Sequence, residues 1–457
     1  MLSAFARASS VAAALILILC AFAPAPTRNI GAPVIFTAAP AYDPMAAFKG
    51  GERFPQGAQL MLLRDGRTEP LVPGFYASAD ANVSFDATRV LFAGKQNEGG
   101  PWQIWELSLK NRELRRVTAT DADAIRPLYL PDDRLVYAQR TAQGFQLAAA
   151  QLADPTALPL TYMNTSALPV DVLRDGRILF EAGFPLGSGS TPELFLVYSD
   201  GSGVESYRCD HGAARWGGRQ LISGDVVFTH GATLARFTSP LATEVRIAAP
   251  RAQYAGGIAE TESGAWLLSA RIATDSHFAL KLLKPGAAVL ESVLTDKANN
   301  LVEPVLVAPR LTPNRHPSAL HDWTTANLLA LDARQTRGGA VNGTPATVRL
   351  ETQDATGNAV ALGTAPVEAD GSFFVTTPAD RPIRFVLLDA HGKTIEQERG
   401  WFWIRRGEQR ICVGCHVGPE RAPENQVPAV LMRTTTPVDL SKVPAMEAAH
   451  RASPGGN

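Results

Sequence analysis

The chain has 457 residues, of which 46% are hydrophobic and 19% are charged, so it can bury a core, and its length suggests two or three domains. Its formal net charge of −1 excludes a polybasic nucleic-acid-binding protein. Four cysteines, at positions 20, 209, 412 and 415, are too few for a small scaffold held together by disulfides.

The first 26 residues have the pattern of a secretory signal peptide. Arg7 precedes an uncharged apolar run at 11–23, which is too short to span a bilayer comfortably, and small residues follow it. The pattern predicts an exported protein, periplasmic or otherwise outside the cytoplasm, with residues 1–26 as the signal peptide. An uncleaved membrane anchor or a lipid anchor at Cys20 is the alternative.

The middle of the chain repeats a short apolar run after a turn rich in Asp, Gly or Ser. Five copies, spaced 40 to 48 residues apart, lie at 90–92, 135–137, 178–180, 226–228 and 266–268. This period is typical of propeller blades, each built from four short strands. A sixth strand pair at 59–71 is predicted to close the ring with the chain after Asn300. The expected fold is therefore mainly β, with a six-bladed (five- to seven-bladed) β-propeller at 27–305; a two-sheet sandwich is the alternative.

A second unit follows a connector at 306–326, and four prolines lie between Pro304 and Pro317. Apolar runs at 328–331, 347–350, 373–376 and 383–388 alternate with turn signals, so a small β-sandwich is predicted for 327–408. Residues 409–457 form the last predicted unit, a haem-binding segment with a polar tail.

The haem prediction rests on the sequence Cys-x-x-Cys-His at Cys412, Cys415 and His416. Two thiols at this spacing can bond covalently to one haem, and the histidine that follows then binds its iron. Attachment of this kind takes place outside the cytoplasm, in agreement with the predicted export. The alternatives are a dithiol redox pair and a zinc site that would also use Cys209 and His211.

Aromatic and basic residues lie just before the motif. Trp401 and Trp403 are predicted to wall the haem from water, and Arg405, Arg406 and Arg410 to pair with its propionates, because a guanidinium matches a carboxylate. Alternatively, the tryptophans belong to the sandwich core and the arginines to a solvated edge.

The second axial position of the iron is left open by the sequence. Met432 is a candidate ligand, as are Met446 and His450, and any of them would favour electron transfer. An open position would permit chemistry on a small molecule.

Two resemblances follow from these motifs. Over about 45–305 the blades resemble TolB/PD40-type propellers. Over about 45–435 the chain resembles the hydrazine synthase α subunits and similar bacterial monohaem proteins. The segments at 368–375, 401–403, 412–416 and 420–425 carry this resemblance, and its most specific part is 370–425.

The second resemblance implies a haem-dependent oxidoreductase with particular ligands. In that family a tyrosine just beyond the motif holds the iron, the motif histidine helps to hold a zinc with a propeller cysteine, and a second haem is present. This chain has one motif, Glu420 at the position of the tyrosine, and no later tyrosine. These departures favour His416 as the iron ligand, while Cys209 is a match for the propeller cysteine or else a small buried residue.

Two classes of function remain from the sequence. One is a periplasmic oxidoreductase that acts on a small inorganic molecule at a haem facing the propeller. The other is an electron-relay module that docks a partner cytochrome and performs no catalysis.

Overall fold

The computed structural model describes residues 30–186, 189–208, 213–240, 242–318, 320–336, 339–398, 400–414 and 426–443. The predicted signal peptide and anchor at 1–26 lie outside these residues. In the described part, no helix is long and apolar enough to cross a membrane. Its helices are a single 3-10 turn at Ala46–Lys49 and the short α1 at Ala429–Arg433.

The first unit consists of 24 strands arranged in six four-stranded sheets within the described residues. Strands β1 to β24 run over Val34–Ala39, Gln59–Arg64, Arg67–Pro70, Ala77–Val83, Arg89–Lys95, Gln103–Ser108, Leu114–Arg116, Ala124–Leu130, Arg134–Thr141, Gly144–Gln151, Asp154–Pro159, Ala167–Val172, Ile178–Leu186, Gly189–Val197, Glu205–Ser206, Arg215–Gln220, Val226–His230, Thr233–Phe237, Val245–Arg246, Gln253–Glu260, Trp266–Arg271, Ala279–Leu283, Glu291–Leu294 and Asn300–Leu306. The first strands of neighbouring sheets (β4, β8, β12, β16, β20 and β24) contact each other around a closed ring. The mainly β propeller fold is thus confirmed.

The ring closes by pairing the two ends of the first unit. Strand β24 is antiparallel to β1, with Leu306 opposite Val34 and Asn300 opposite Ala39, and β2 and β3 complete that sheet. The predicted strand pair at 59–71 corresponds to β2 and β3. Strand β1, which stands between them and β24, was not identified in the sequence.

The repeated apolar runs form the second strand of five sheets: β5, β9, β13, β17 and β21. Their large side chains, such as Phe92, Tyr137, Phe180 and Phe228, are buried between neighbouring sheets. The packing explains the repeat, because each blade must bury both of its faces against other blades.

The same pair of side-chain hydrogen bonds recurs in two successive blades. The Thr118 hydroxyl donates to the side-chain oxygen of Gln103 and accepts from the Ile104 N–H. Thr161 and Gln146 make the same bonds one blade later. These bonds attach a short outer strand to its blade.

The second unit contains strands β25 to β34. They run over Thr325–Ala330, Gln335–Thr336, Gly339–Ala340, Thr347–Gln353, Ala359–Pro366, Phe373–Pro378, Ile383–Leu388, Thr394–Gln397, Gln409–Cys412 and Val438–Asp439. The sheets β33-β25-β30-β34 and β29-β28-β31-β32 bury one shared apolar cluster, as in a β-sandwich. The segment predicted to begin at 409 therefore contributes two strands, β33 and β34, to the sandwich.

Candidate functional site

Cys412 is the residue of the predicted haem motif whose surroundings the structure describes best. It is the last residue of edge strand β33, which runs parallel to β25 and places Cys412 opposite Ala330. The Leu331 N–H donates to the Cys412 carbonyl over 2.9 Å. The half-buried thiol is free and packs against the sandwich core. Burial raises the pKa of this thiol, and the nearby Arg410 guanidinium opposes the rise.

Two side chains, those of Asp370 and Ser372, anchor the short helix that follows the motif. The Asp370 carboxylate accepts from the Ala429 N–H over 2.7 Å, and the Ser372 hydroxyl accepts from the Val430 N–H over 3.1 Å, so both anchor the start of α1. Met432, a predicted candidate ligand, lies on α1 with 72% of its surface exposed. Its role toward an iron stays a prediction.

The tryptophans before the motif face different surroundings. Trp403 is 1% exposed, packs in an apolar cluster with propeller residues, and donates its indole N–H to the Gly201 carbonyl over 3.0 Å. Trp401 is half-buried, with the Arg384 guanidinium 4.5 Å from its ring centroid. Phe402, between them, contacts both the propeller cluster and the sandwich cluster.

Two of the arginines before the motif share one carboxylate. Arg405 is fully buried, lies 3.1 Å from Asp380, and donates to the Tyr162 hydroxyl of the propeller. Arg406 lies 3.0 Å from Asp380, with 47% of its side chain exposed.

The third arginine, Arg410, crosses to the propeller and donates to the Val204 carbonyl. All three arginines thus have partners within the protein. The pairing with propionates stays a prediction.

The remaining predicted ligands, Cys415, His416, Cys209 and His211, lie outside the described residues, as do Met446 and His450. Within the described ranges, no group of three or more His, Cys, Asp or Glu side chains is arranged to hold a metal ion. The zinc prediction therefore stays a prediction.

A charged network in the propeller channel was missed by the sequence analysis. Arg53 binds the carboxylates of Asp80 and Glu303, the latter over 2.6 Å. Arg126 lies 3.6 Å from Glu303 and 3.9 Å from Glu181. The one available signal was a lone charge inside an otherwise apolar or small-residue strand, as in β4, β8 and β24.

Comparison with known proteins adds a family match in the second unit. Residues 328–417 match a family model described as the hydrazine synthase alpha subunit middle domain. The chain resembles hydrazine synthase α subunits. No curated protein sequence matches it.

Solved structures extend this likeness to the fold of both units. Hydrazine synthase from Kuenenia stuttgartiensis is similar over 88% of this chain and 71% of that chain, with a TM-score of 0.77 and 16% identity. The TolB structure from Acinetobacter baumannii covers 62% of this chain and 68% of that chain, with a TM-score of 0.44 and 12% identity. The first similarity shows that the propeller and the hydrazine-synthase-like second unit are a shared fold.

Proposed function

We propose that the chain is an exported c-type haem protein in which Cys412 and Cys415 attach the haem and His416 binds its iron. The observation that carries this proposal is the hydrazine synthase α match, which runs to residue 417 and so includes the whole Cys-x-x-Cys-His motif. When bound, the haem would supply an iron that exchanges electrons or binds a small molecule.

The described residues suit this group. The Cys412 thiol is held at a strand end against an apolar cluster, which fixes its position and limits its contact with water. Arg406 keeps nearly half of its side chain exposed and is the arginine best suited to meet a propionate. Arg405 is enclosed between Asp380 and Tyr162, so we assign it to the junction of the two units.

The proposed activity is that of a periplasmic oxidoreductase on a small inorganic molecule, at a haem facing the propeller. The support comes from contacts between the propeller and the segment that leads to the motif. The propeller loop at 201–204 is contacted by Trp403 and by Arg410. Arg410 lies two residues before Cys412. A haem attached at Cys412 would then lie near this junction.

The test is an absorption spectrum of the exported protein, oxidised and reduced, with and without CO. We expect covalent haem and a shift of the reduced spectrum on adding CO, because an open iron position binds CO. A low-spin spectrum insensitive to CO would contradict the oxidoreductase proposal and would favour electron relay. A protein without covalent haem would contradict both.

Two cysteine variants sharpen this test. Cys412→Ala should lose one thioether bond and most of the covalently attached haem, measured after denaturation in acid. Cys209→Ala removes a cysteine outside the motif and should keep covalent haem at the wild-type level. Equal loss in both variants would contradict the assignment of the motif.

A further inference from the structure

The innermost strands of the propeller share an irregularity of the backbone. Each of β4, β8, β12, β16, β20 and β24 has a bulge where its pairing register shifts. Three of the bulges hold Asp80, Arg126 and Glu303 in left-handed conformations, with φ values of 61°, 51° and 56°. The bulge of β16 ends at Arg219. Bulges re-aim the side chains beside them, and two of these bulges carry an arginine.

A cavity of about 90 Å³ lies inside the ring of these strands, and all six strands contribute to its wall. Arg126 and Arg219 line it, together with Gly217 and Gly256. A Cβ atom on Gly217 would lie 2.5 Å from the Gly256 Cα, so this part of the wall must remain bare backbone. The space holds several water molecules or one molecule of about three to six non-hydrogen atoms.

The Arg126 guanidinium has hydrogen-bond donors that the protein leaves free. The carboxylate oxygens closest to it in the described chain belong to Glu303, at 3.6 Å, and Glu181, at 3.9 Å, which is beyond hydrogen-bond distance. Nε of Arg126 is enclosed by the protein, whereas its two terminal nitrogens keep accessible surface. Because the side chain lines the cavity and is only 13% exposed, we assign this surface to the cavity.

Arg219 contributes a second set of free donors. Its Nη1 donates to Asp171 over 3.0 Å, while Nε and Nη2 have no acceptor among the described residues and keep accessible surface. The other oxygen of Asp171 accepts from the Gln220 N–H over 2.8 Å, so this carboxylate is fully engaged. Strands β8 and β16, on either side of β12, thus present free N–H groups to one cavity.

The carboxylates on the cavity wall offer no comparable free acceptor. One oxygen of Asp80 binds Arg53, and the other accepts from the Arg126 N–H over 3.0 Å. Glu303 binds Arg53 through Oε1 over 2.6 Å, and its Oε2 has no accessible surface. Burial raises the pKa of Glu303, Arg53 lowers it and the Asp80 carboxylate raises it, so Glu303 carries less negative charge than an exposed carboxylate would. Free donors without free acceptors suit an anion.

We propose that the propeller channel binds a small planar oxyanion, of carboxylate or nitrite type, whose oxygens accept from the free N–H groups of Arg126 and Arg219. A guanidinium presents its donors in a flat fork, which matches two oxygens in one plane. This site is separate from the motif at Cys412, and the proposal is independent of whether haem is bound.

A third guanidinium lies on the connector side of the cavity. Arg310 donates to the Asn82 side-chain oxygen over 3.3 Å, and Asn82 lines the cavity. In the part of the chain that the structure describes, Arg310 bonds to neutral oxygens and has no carboxylate partner. Burial lowers the pKa of Arg310, Arg219 lowers it further, and the result is about 10. An anion bound beside Arg219 would offset this repulsion.

Access to the cavity is from the same side. The opposite side is covered by the loop at 40–58, which inserts Arg53, and whose Tyr42 hydroxyl donates to the Ala255 carbonyl over 3.3 Å. An anion would therefore enter beside the connector, past Arg310.

The experiment compares four probes of similar size: formate, nitrite, the neutral formamide and the cation formamidinium. Binding to the intact exported protein is measured by NMR titration of each probe, and its location by soaking crystals. We expect formate or nitrite to bind in the channel at least tenfold more tightly than formamide or formamidinium, and the tighter anion shows whether the natural ligand is organic or inorganic. Tighter binding of formamide or formamidinium, or water alone in the channel after both anion soaks, would overturn the proposal.

Arg219→Gln makes the test specific to the free donors. We expect formate to bind at least tenfold more weakly to this variant, with its folded state checked by circular dichroism. Arg236→Gln is the matched control, because it removes an Arg–Asp pair of 2.9 Å in the same blade but outside the cavity wall. It should keep the wild-type affinity for formate.

Arg219→Lys covers the case in which Arg219→Gln does not fold. The ammonium group can keep the ion pair with Asp171, but it has a single nitrogen and no planar fork. Formate should therefore bind at least threefold more weakly than to the wild type. Wild-type affinity for formate in a folded variant of Arg219 would overturn the proposal.

Discussion

Three charged residues of the channel wall have backbone conformations that glycine would adopt at less cost. At Asp80, Arg126 and Glu303 the left-handed φ values cost on the order of 1 kcal/mol each. Ion pairs offset part of this cost, because Arg53 holds Asp80 and Glu303, and Glu303 also lies 3.6 Å from Arg126. The strain is local, and its effect is to bring the three charged side chains into one network.

Glu181, at the edge of this network, should make the stability of the protein depend on pH. Burial raises its pKa, and the Arg126 guanidinium and the Gly217 N–H lower it only in part. The folded chain thus binds this proton more tightly than the unfolded chain does. The resulting stabilisation is complete below the ordinary pKa of about 4.3 and is lost as the pH rises through the folded-state pKa.

We expect Glu181→Gln to remove this loss, because the amide keeps an oxygen for the Gly217 N–H and carries no charge. Urea unfolding between about pH 4 and pH 8 measures how the free energy of unfolding changes with pH. The free energy of unfolding of the variant should fall less with rising pH than that of the wild type. Parallel pH profiles would show that Glu181 titrates alike in the folded and unfolded chains.

The Cys-x-x-Cys-His motif and the charged network of the propeller differ in how far the sequence could predict them. The motif at 412–416 is local, so its spacing alone predicts haem attachment, and this stays a prediction. Asp80, Arg126 and Glu303 come from strands far apart in the chain, and only the closed ring brings them together. No local pattern distinguishes them from single charges at a strand surface.

At the scale of strands, predictability followed the strength of the apolar signal. The second strands β5, β9, β13, β17 and β21 were predicted because they are apolar runs after turns. The innermost strand β4 (Ala77–Val83) consists mainly of small and polar residues with low β-propensity, and its strand structure comes from its neighbours. The bulge in β4 likewise comes from packing against the neighbouring strands around the channel and not from the local sequence.

The strand pairing that closes the ring depends on Asn300, at the start of β24. Its side chain donates to the carbonyls of Ala39 and Pro40, each over 3.2 Å, and accepts from the Phe278 N–H over 3.1 Å. We expect Asn300→Ala to lower the free energy of unfolding by about 3 kcal/mol, since buried groups lose their partners. Urea unfolding followed by circular dichroism measures this loss.

The neighbouring Asn299 is a matched control for that variant. Among the residues that the structure describes, its side-chain amide donates only to the exposed Asp296, over 3.1 Å. Asn299→Ala should therefore change the free energy of unfolding by less than about 0.5 kcal/mol. A similar small change for Asn300→Ala would mean that the closing pair is held by backbone bonds alone.

At the scale of the whole molecule, the two units are joined by more than their connector. Trp403 packs among propeller side chains, and Arg405 links Asp380 of the second unit to Tyr162 of the propeller. The Glu408 carboxylate also accepts from the Gly203 N–H over 3.2 Å. The sequence predicts that these aromatic and basic residues lie beside the haem. The structure shows that Trp403, Arg405 and Arg410 each contact the propeller.

This junction should make the two units unfold together. Trp403→Ala removes a ring that is 1% exposed and leaves the Gly201 carbonyl without its indole donor. We expect a loss on the order of 3 kcal/mol and two separate transitions in calorimetry, because the units no longer stabilise each other. Trp401→Ala, a change of a half-buried ring beside Arg384, should cost less than about 1 kcal/mol and keep the wild-type profile. A single transition at the wild-type temperature in Trp403→Ala would show that the units are independent of this contact.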